Sequence, residues 1–83
     1  MEKILIFLKI PSVGEAYEIY VPDHVSVKEL VSLLSEAVSE LTRHLYVPSG
    51  SETLCCAEQN LLLDENKTLS DYAIGNGDHL VMI

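Results

Sequence analysis

Few side chains in this chain could do chemistry: three histidines, His24, His44 and His79, and the adjacent cysteines Cys55 and Cys56. A metal site needs ligands converging at helical i, i+4 spacing or from a C-x-x-C pair. The histidines fall on a predicted loop, a helix end and a strand, with neither arrangement, and read as surface residues. No metal and no cofactor are expected. A thiol nucleophile needs a base within hydrogen-bond reach, so Cys55 or Cys56 would have to meet His79 across a sheet. Neighbours in a strand point to opposite faces, which leaves one of the two cysteines in the core as a small hydrophobe. Gly75-Asn76-Gly77 precedes a strand and not a helix, so it reads as a turn and not as a phosphate cradle. The expectation is a chain without catalytic residues.

The elements that position these residues follow from hydrophobic periodicity. Residues 3–10 alternate as a strand, with Ile4, Ile6, Leu8 and Ile10 on one face and Leu5, Phe7 and Lys9 on the other. Pro11 to Glu15 is a turn by composition, and Ala16 to Val21 alternates again before Pro22-Asp23, which predicts a hairpin. Ser26-Val27-Lys28-Glu29 fits the S-x-x-E capping box at a helix start. Val27, Leu30, Val31, Leu34, Ala37, Val38 and Leu41 then form one apolar stripe, opposite a solvated face that includes Ser32, Ser35 and Glu36. The helix is expected to end between Leu41 and Leu45, where Arg43 and His44 suit the negative end of its dipole.

Residues 46–52 read as a loop, Thr53 to Ala57 as a short strand, and Leu61 to Leu63 as a brief further one. Thr68 to Asp78 is a corner: Thr68 accepts from a short helical turn, Asp71 reaches back, and Leu69 and Ile74 are apolar anchors. Tyr72 offers a ring to bury and a hydroxyl that needs a partner. Gly75-Asn76-Gly77 tolerates positive φ, and His79 to Ile83 forms the last strand, parallel to the first. The order hairpin, helix, short strands, corner, strand predicts an α+β fold of one domain over residues 1–83, with a mixed sheet and the helix packed on one face.

Charge and composition narrow the partners. Thirteen acidic against five basic residues give a net charge of −8, which phosphate backbones and anionic membrane surfaces repel, so nucleic acid is not expected. No stretch approaches the roughly 20 apolar residues of a membrane span, and no membrane insertion is expected. The Ile4 to Leu8 run is too short for a signal peptide. Adjacent cysteines without a framework of spaced pairs fit reduced thiols in a cytoplasmic protein.

The element order, with Thr68-Leu69-Ser70-Asp71-Tyr72-Ala73-Ile74 ahead of the last strand, resembles ubiquitin, and the resemblance implies a β-grasp fold. Leu54-Cys55-Cys56-Ala57 stands where ubiquitin has a similar short apolar strand. The details resemble more closely the bacterial YukD/EsaB-type ubiquitin-like proteins of Gram-positive type VII secretion loci. Their L-S-D-x-G/A-I-x-N-G-D-x-L ending is reproduced from Leu69 to Leu80, and the Leu54 to Asp71 spacing fits them without a gap. Tyr72-Ala73 departs from the Cys-Gly familiar in that group.

The resemblance implies an accessory or regulatory component of a type VII (Ess/Yuk) secretion system, working through protein partners that include the secretion machinery. Conjugation chemistry needs a Gly-Gly tail, and this sequence stops at Leu80-Val81-Met82-Ile83, so conjugation is not expected. Lys3, Lys9, Lys28 and Lys67 read as surface charges. The alternatives are a ubiquitin-like modifier or sulfur carrier whose tail lies beyond this sequence, and a β-grasp adaptor of another pathway. Strand alternation supplies the candidate contact surface. With Ile4, Ile6, Leu8, Tyr17, Ile19, Leu54, Cys56, Leu80 and Met82 turned to the helix, Leu5, Phe7, Tyr20, Cys55, Val81 and Ile83 face outward. Ubiquitin carries its partner-binding patch on the same face, and Cys55, Val81 and Ile83 stand at matching strand positions. Apolar residues gathered there suggest a protein contact or a homodimer face.

Overall fold

Eight alternating residues at the start of the chain make a strand with one wholly apolar side, and the rest of the sheet is assembled around it. The structure, a computed structural model, describes residues 3–83; Met1 and Glu2 of the expected domain lie outside the described residues. Strand β1 (Lys3–Ile10) pairs antiparallel with β2 (Glu15–Pro22) as a hairpin. Helix α1 (Val27–Leu41) follows, then β3 (Leu54–Cys56), β4 (Leu61–Leu62), a short 3-10 turn (Ser70–Tyr72) and β5 (Asp78–Met82). The sheet order is β2-β1-β5-β3-β4, with β5 parallel to β1 and antiparallel to β3. The expected parallel pairing of first and last strands is thus realised.

One face of the sheet packs on α1. Ile4, Ile6, Leu8, Ile10, Leu54, Cys56, Leu80 and Met82 are buried with Val27, Leu30, Leu34 and Val38 of the helix. Tyr17 and Ile19 are only partly buried, because β2 is the outermost strand and the helix covers it incompletely. Ser26 caps α1 by accepting the Glu29 N–H at 3.2 Å; only this half of the expected box forms among the described residues. The next two amides are taken up from afar instead, Val27 N–H by the Lys67 carbonyl and Lys28 N–H by that of Glu65.

The stripe on α1 is shifted from the sequence expectation. Leu41 is 56% exposed and borders a shallow depression with Val13, Tyr17 and Leu45. Ser35, expected on the solvated face, is buried and donates its hydroxyl to the Ser32 carbonyl at 3.0 Å. That bond is what lets a polar side chain sit there. Arg43 and His44 lie beyond the last turn of α1, which holds no basic residue, and close the helix through their backbone. Both adopt left-handed φ, 54° and 67°, and their N–H groups donate to the Glu40 and Ser39 carbonyls. This is the backbone pattern that ends helices, built without glycine.

The corner forms as its residues dictate. Asp71 N–H donates to Thr68 Oγ1 at 3.2 Å while Thr68 N–H donates to Asp71 Oδ2 at 2.9 Å. Leu69 and Ile74 are buried, and the Tyr72 hydroxyl accepts the Asp64 N–H at 2.8 Å. One detail differs from expectation: the left-handed residues are Ala73 (φ 55°) and Gly77 (φ 87°), and Gly75 is not among them. The residue closing the 3-10 turn needs positive φ, and here it is an alanine.

Candidate functional site

The face of the sheet turned away from α1 is built from alternate residues of β1, β2, β3 and β5. Register sets Leu5 beside Tyr20, Phe7 between Glu18 and His79, and Lys9 between Ala16 and Val81, with Cys55 on the far side of Val81. Five of the six outward residues expected from alternation, Leu5, Phe7, Tyr20, Cys55 and Val81, therefore share one face. They form two apolar pairs with Phe7 between them. Leu5 and Tyr20 lie at one end, Cys55 and Val81 at the other, and Ile83 follows beyond the end of β5. Tyr20 and Ile83 are exposed, at 69% and 63%, while Leu5, Phe7, Cys55 and Val81 are half-buried. Ile83 is tied by its backbone, exchanging hydrogen bonds with Thr53.

Between the two groups sits a feature that the alternation did not reveal. The rings of Phe7 and His79 stack with centroids 4.9 Å apart and planes 21° from parallel. Glu58, in the turn after β3, holds the other partner: its Oε2 lies 2.6 Å from His79 Nδ1. Both Glu58 oxygens also accept the His79 backbone N–H, at 2.9 and 3.1 Å. Those bonds, the ring's first and the backbone's second, hold the Glu58 carboxyl below the usual carboxylate range. The sequence signal was present but weak. β3 and β5 run antiparallel, so the polar turn that follows Cys56 must lie beside the start of β5.

Among the described residues no hydrogen bond joins His79 to either cysteine. The imidazole Nδ1 is occupied by Glu58 and the ring face by Phe7. Cys56 is buried, its Sγ 3.9 Å from Glu58 Oε1, and Cys55 lies opposite Val81. No group of three or more His, Cys, Asp or Glu side chains among the described residues could hold a metal ion. No helix of the described residues is long and apolar enough to cross a membrane.

A second concavity lies on the helix side. A cleft of about 600 Å³ opens between the first half of α1 and residues 48–54, floored by Val27, Val31, Leu54 and Leu63. Its outer wall is fixed by Glu52. That carboxylate accepts the Tyr46 hydroxyl at 2.6 Å and the amides of Ser49 and Gly50 at 2.8 and 3.1 Å. Burial opposes the Glu52 charge, but the bonds from Tyr46, Ser49 and Gly50 outweigh it and its pKa is lowered. Tyr46 is pushed the other way, well above the usual phenol range, by burial first and by its bond to Glu52 second. Ser35, bonded to the helix backbone, also lines the cleft, as do Lys28, Ser32, Glu36 and Glu65.

Residues 8–82 match the family described as YukD, WXG100 protein secretion system (Wss), protein YukD. The chain belongs to the YukD family. Solved structures agree on the fold of this YukD-family chain. The EccD5 ubiquitin-like domain from Mycobacterium xenopi superposes with a TM-score of 0.84 at 15% identity, covering 100% of this chain and 94% of that one. A chain of the MycP5-free ESX-5 inner membrane complex superposes with a TM-score of 0.81 at 16% identity, over 100% of this chain and 21% of its own length. Caldiarchaeum subterraneum ubiquitin gives a TM-score of 0.70 at 18% identity, covering 99% of this chain and 92% of that one. No curated protein matches the sequence. The fold is ubiquitin-like, and the family is that of the WXG100 protein secretion system.

Proposed function

We propose that this YukD-family chain, as one ubiquitin-like unit over residues 1–83, is a non-catalytic accessory component of a type VII secretion system, acting by protein contact on the cytoplasmic side. The observation that carries the proposal is the open sheet face, where Phe7 and His79 stack between two apolar groups. An aromatic residue at the centre of the face matches the aromatic enrichment of contact surfaces. Lys9, Glu18 and the Glu58–His79 pair break the apolar area and would set orientation. The similarity to a chain within the ESX-5 inner membrane complex supports protein partners as the class of ligand. Membership of the YukD family supports a non-catalytic role.

The test uses Phe7→Ser, Tyr20→Ser and Val81→Ser, singly and together, in capture of secretion-machinery components encoded beside this chain. Circular dichroism should show the fold retained, because none of the three is in the core. Capture should fall at least tenfold for Phe7→Ser, whose ring holds the centre of the face. Undiminished capture by the triple variant removes the sheet-face reading. Sedimentation of the chain alone separates a partner surface from a homodimer face, which would appear as a dimer lost in the triple variant.

A further inference from the structure

The two edges of the sheet are unlike. At one, β4 has two residues and little backbone to offer. At the other, β2 runs for eight residues and is paired on one side only. Which of its backbone groups are free follows from β1. Leu5 N–H donates to Asn76 Oδ1 at 2.7 Å and its carbonyl accepts the Gly77 N–H at 2.8 Å, so Leu5 points its backbone towards β5. Alternation turns Ile4, Ile6, Leu8 and Ile10 towards β2, where they meet Val21, Ile19, Tyr17 and Glu15. The N–H and C=O groups of Ala16, Glu18 and Tyr20 therefore point away from the sheet.

Natural edges of this length are usually blunted by charged side chains, lysine above all, by an internal proline or by a bulge, and of these β2 has only Glu15 and Glu18. β2 contains no lysine, its register with β1 is unbroken, and its proline is its last residue. Beside it on the helix side, Tyr17 and Ile19 remain partly open. A depression of about 300 Å³ continues from Tyr17, bordered by Val13, Leu41 and Leu45, and these two leucines are 56% and 83% exposed. Glu15 and Arg43 also border it. On the other side of the strand stands Glu18.

We infer that β2 is a strand-addition site for an extended segment of a partner protein, with aliphatic residues at alternate positions and lysine or arginine between them. Main-chain bonds to Ala16, Glu18 and Tyr20 would supply the pairing. The aliphatic side chains meet Tyr17 and Ile19 and fill the depression, while the basic ones face Glu18. The net charge of −8 favours a basic segment over a second copy of this chain. Self-pairing about Glu18 would also set like charges directly opposite one another. This surface adjoins the open face at Glu18 and Tyr20 but uses the outer backbone edge of β2, and its occupancy does not depend on that reading.

The probe is a capped synthetic peptide of alternating valine and lysine, titrated into the isotope-labelled chain and followed by amide resonances. Saturable shifts and slowed hydrogen exchange are expected at Ala16, Glu18 and Tyr20. The same peptide N-methylated at every second residue keeps its charge but loses one edge of donors, and should bind about tenfold more weakly or worse. Glu18→Pro removes an outward N–H while leaving the β1 pairing intact, and should weaken the unmodified peptide similarly. Phe7→Ser should leave peptide binding unchanged. The inference is overturned by equal affinity for the N-methylated peptide, by shifts confined to Phe7, His79 and Val81, or by a concentration-dependent dimer built on β2.

Discussion

Two stretches of similar length and little regular structure flank the last strands: the corner from Thr68 to Asp78 and the segment from Thr42 to Thr53. The corner is closed by reciprocal local bonds, with Thr68 and Asp71 each capping the other and two apolar anchors, Leu69 and Ile74, in the core. It also reaches outward, since Asn76 and Gly77 hold Leu5 of β1. The segment after the helix has one buried anchor, Tyr46, and one carboxylate, Glu52, that gathers the surrounding donors. Leu45 and Val47 stay exposed at 83% and 75%. The corner thus rests on two buried anchors and reciprocal caps, and the segment on one buried anchor bonded to one carboxylate. Loss of a single group should be felt differently in each.

The largest effect is expected at the corner's anchor. Leu69→Ala removes a fully buried side chain, and chemical denaturation should show a loss of about 2–5 kcal/mol. A loss under 1 kcal/mol would mean that the corner's polar bonds, and not its apolar anchors, hold it.

Glu52→Gln sharpens the other half of the comparison. It removes the charge on which Tyr46, Ser49 and Gly50 converge, and should cost about 1–3 kcal/mol at neutral pH. The same carboxylate sets a pH dependence. Its folded pKa lies below the unfolded value, so its stabilisation is present above the usual carboxylate range and is lost as pH falls through the lowered value. Tyr46 has the opposite sign. Its raised pKa favours the folded state below the ordinary phenol value, and that contribution is lost as pH rises above it. In Glu52→Gln the acid-side slope of stability against pH should flatten. An unchanged slope would assign the acid sensitivity elsewhere, with Glu58 the next group to test.

The smallest effect is a gain. Ala73 holds a left-handed φ of 55°, where glycine carries no Cβ penalty. Ala73→Gly should stabilise the chain by about 1 kcal/mol and raise Tm by a few degrees. A destabilised variant would show that the greater freedom of glycine in the unfolded chain outweighs the strain relieved.

The corner was legible because its signals are local. Thr68 and Asp71 are three residues apart, and Leu69 and Ile74 bracket one turn. The hairpin, the helix and the outward set Leu5, Phe7, Tyr20, Cys55 and Val81 were legible for the same reason, since period 2 and period 3.6 are written in adjacent residues. Tyr46 gave no such signal: its bond to Glu52 closes within a stretch whose composition says only loop. Ser35 was misplaced because periodicity ranks a serine as solvated and does not see the backbone carbonyl that accepts its hydroxyl. Glu58 was missed because its partner, His79, is 21 residues away.

The sequence by itself determined the order of elements, the face each strand turns to the helix, and the family, because these depend on neighbours along the chain. Tertiary structure alone decided what stands on the open face. It set Phe7 against His79, brought Glu58 to the ring, and left one edge of the sheet long and unpaired while the other is short. The physical reason is pairing: a strand's faces follow from its own residues, but its neighbours follow from a register that the whole sheet must satisfy at once.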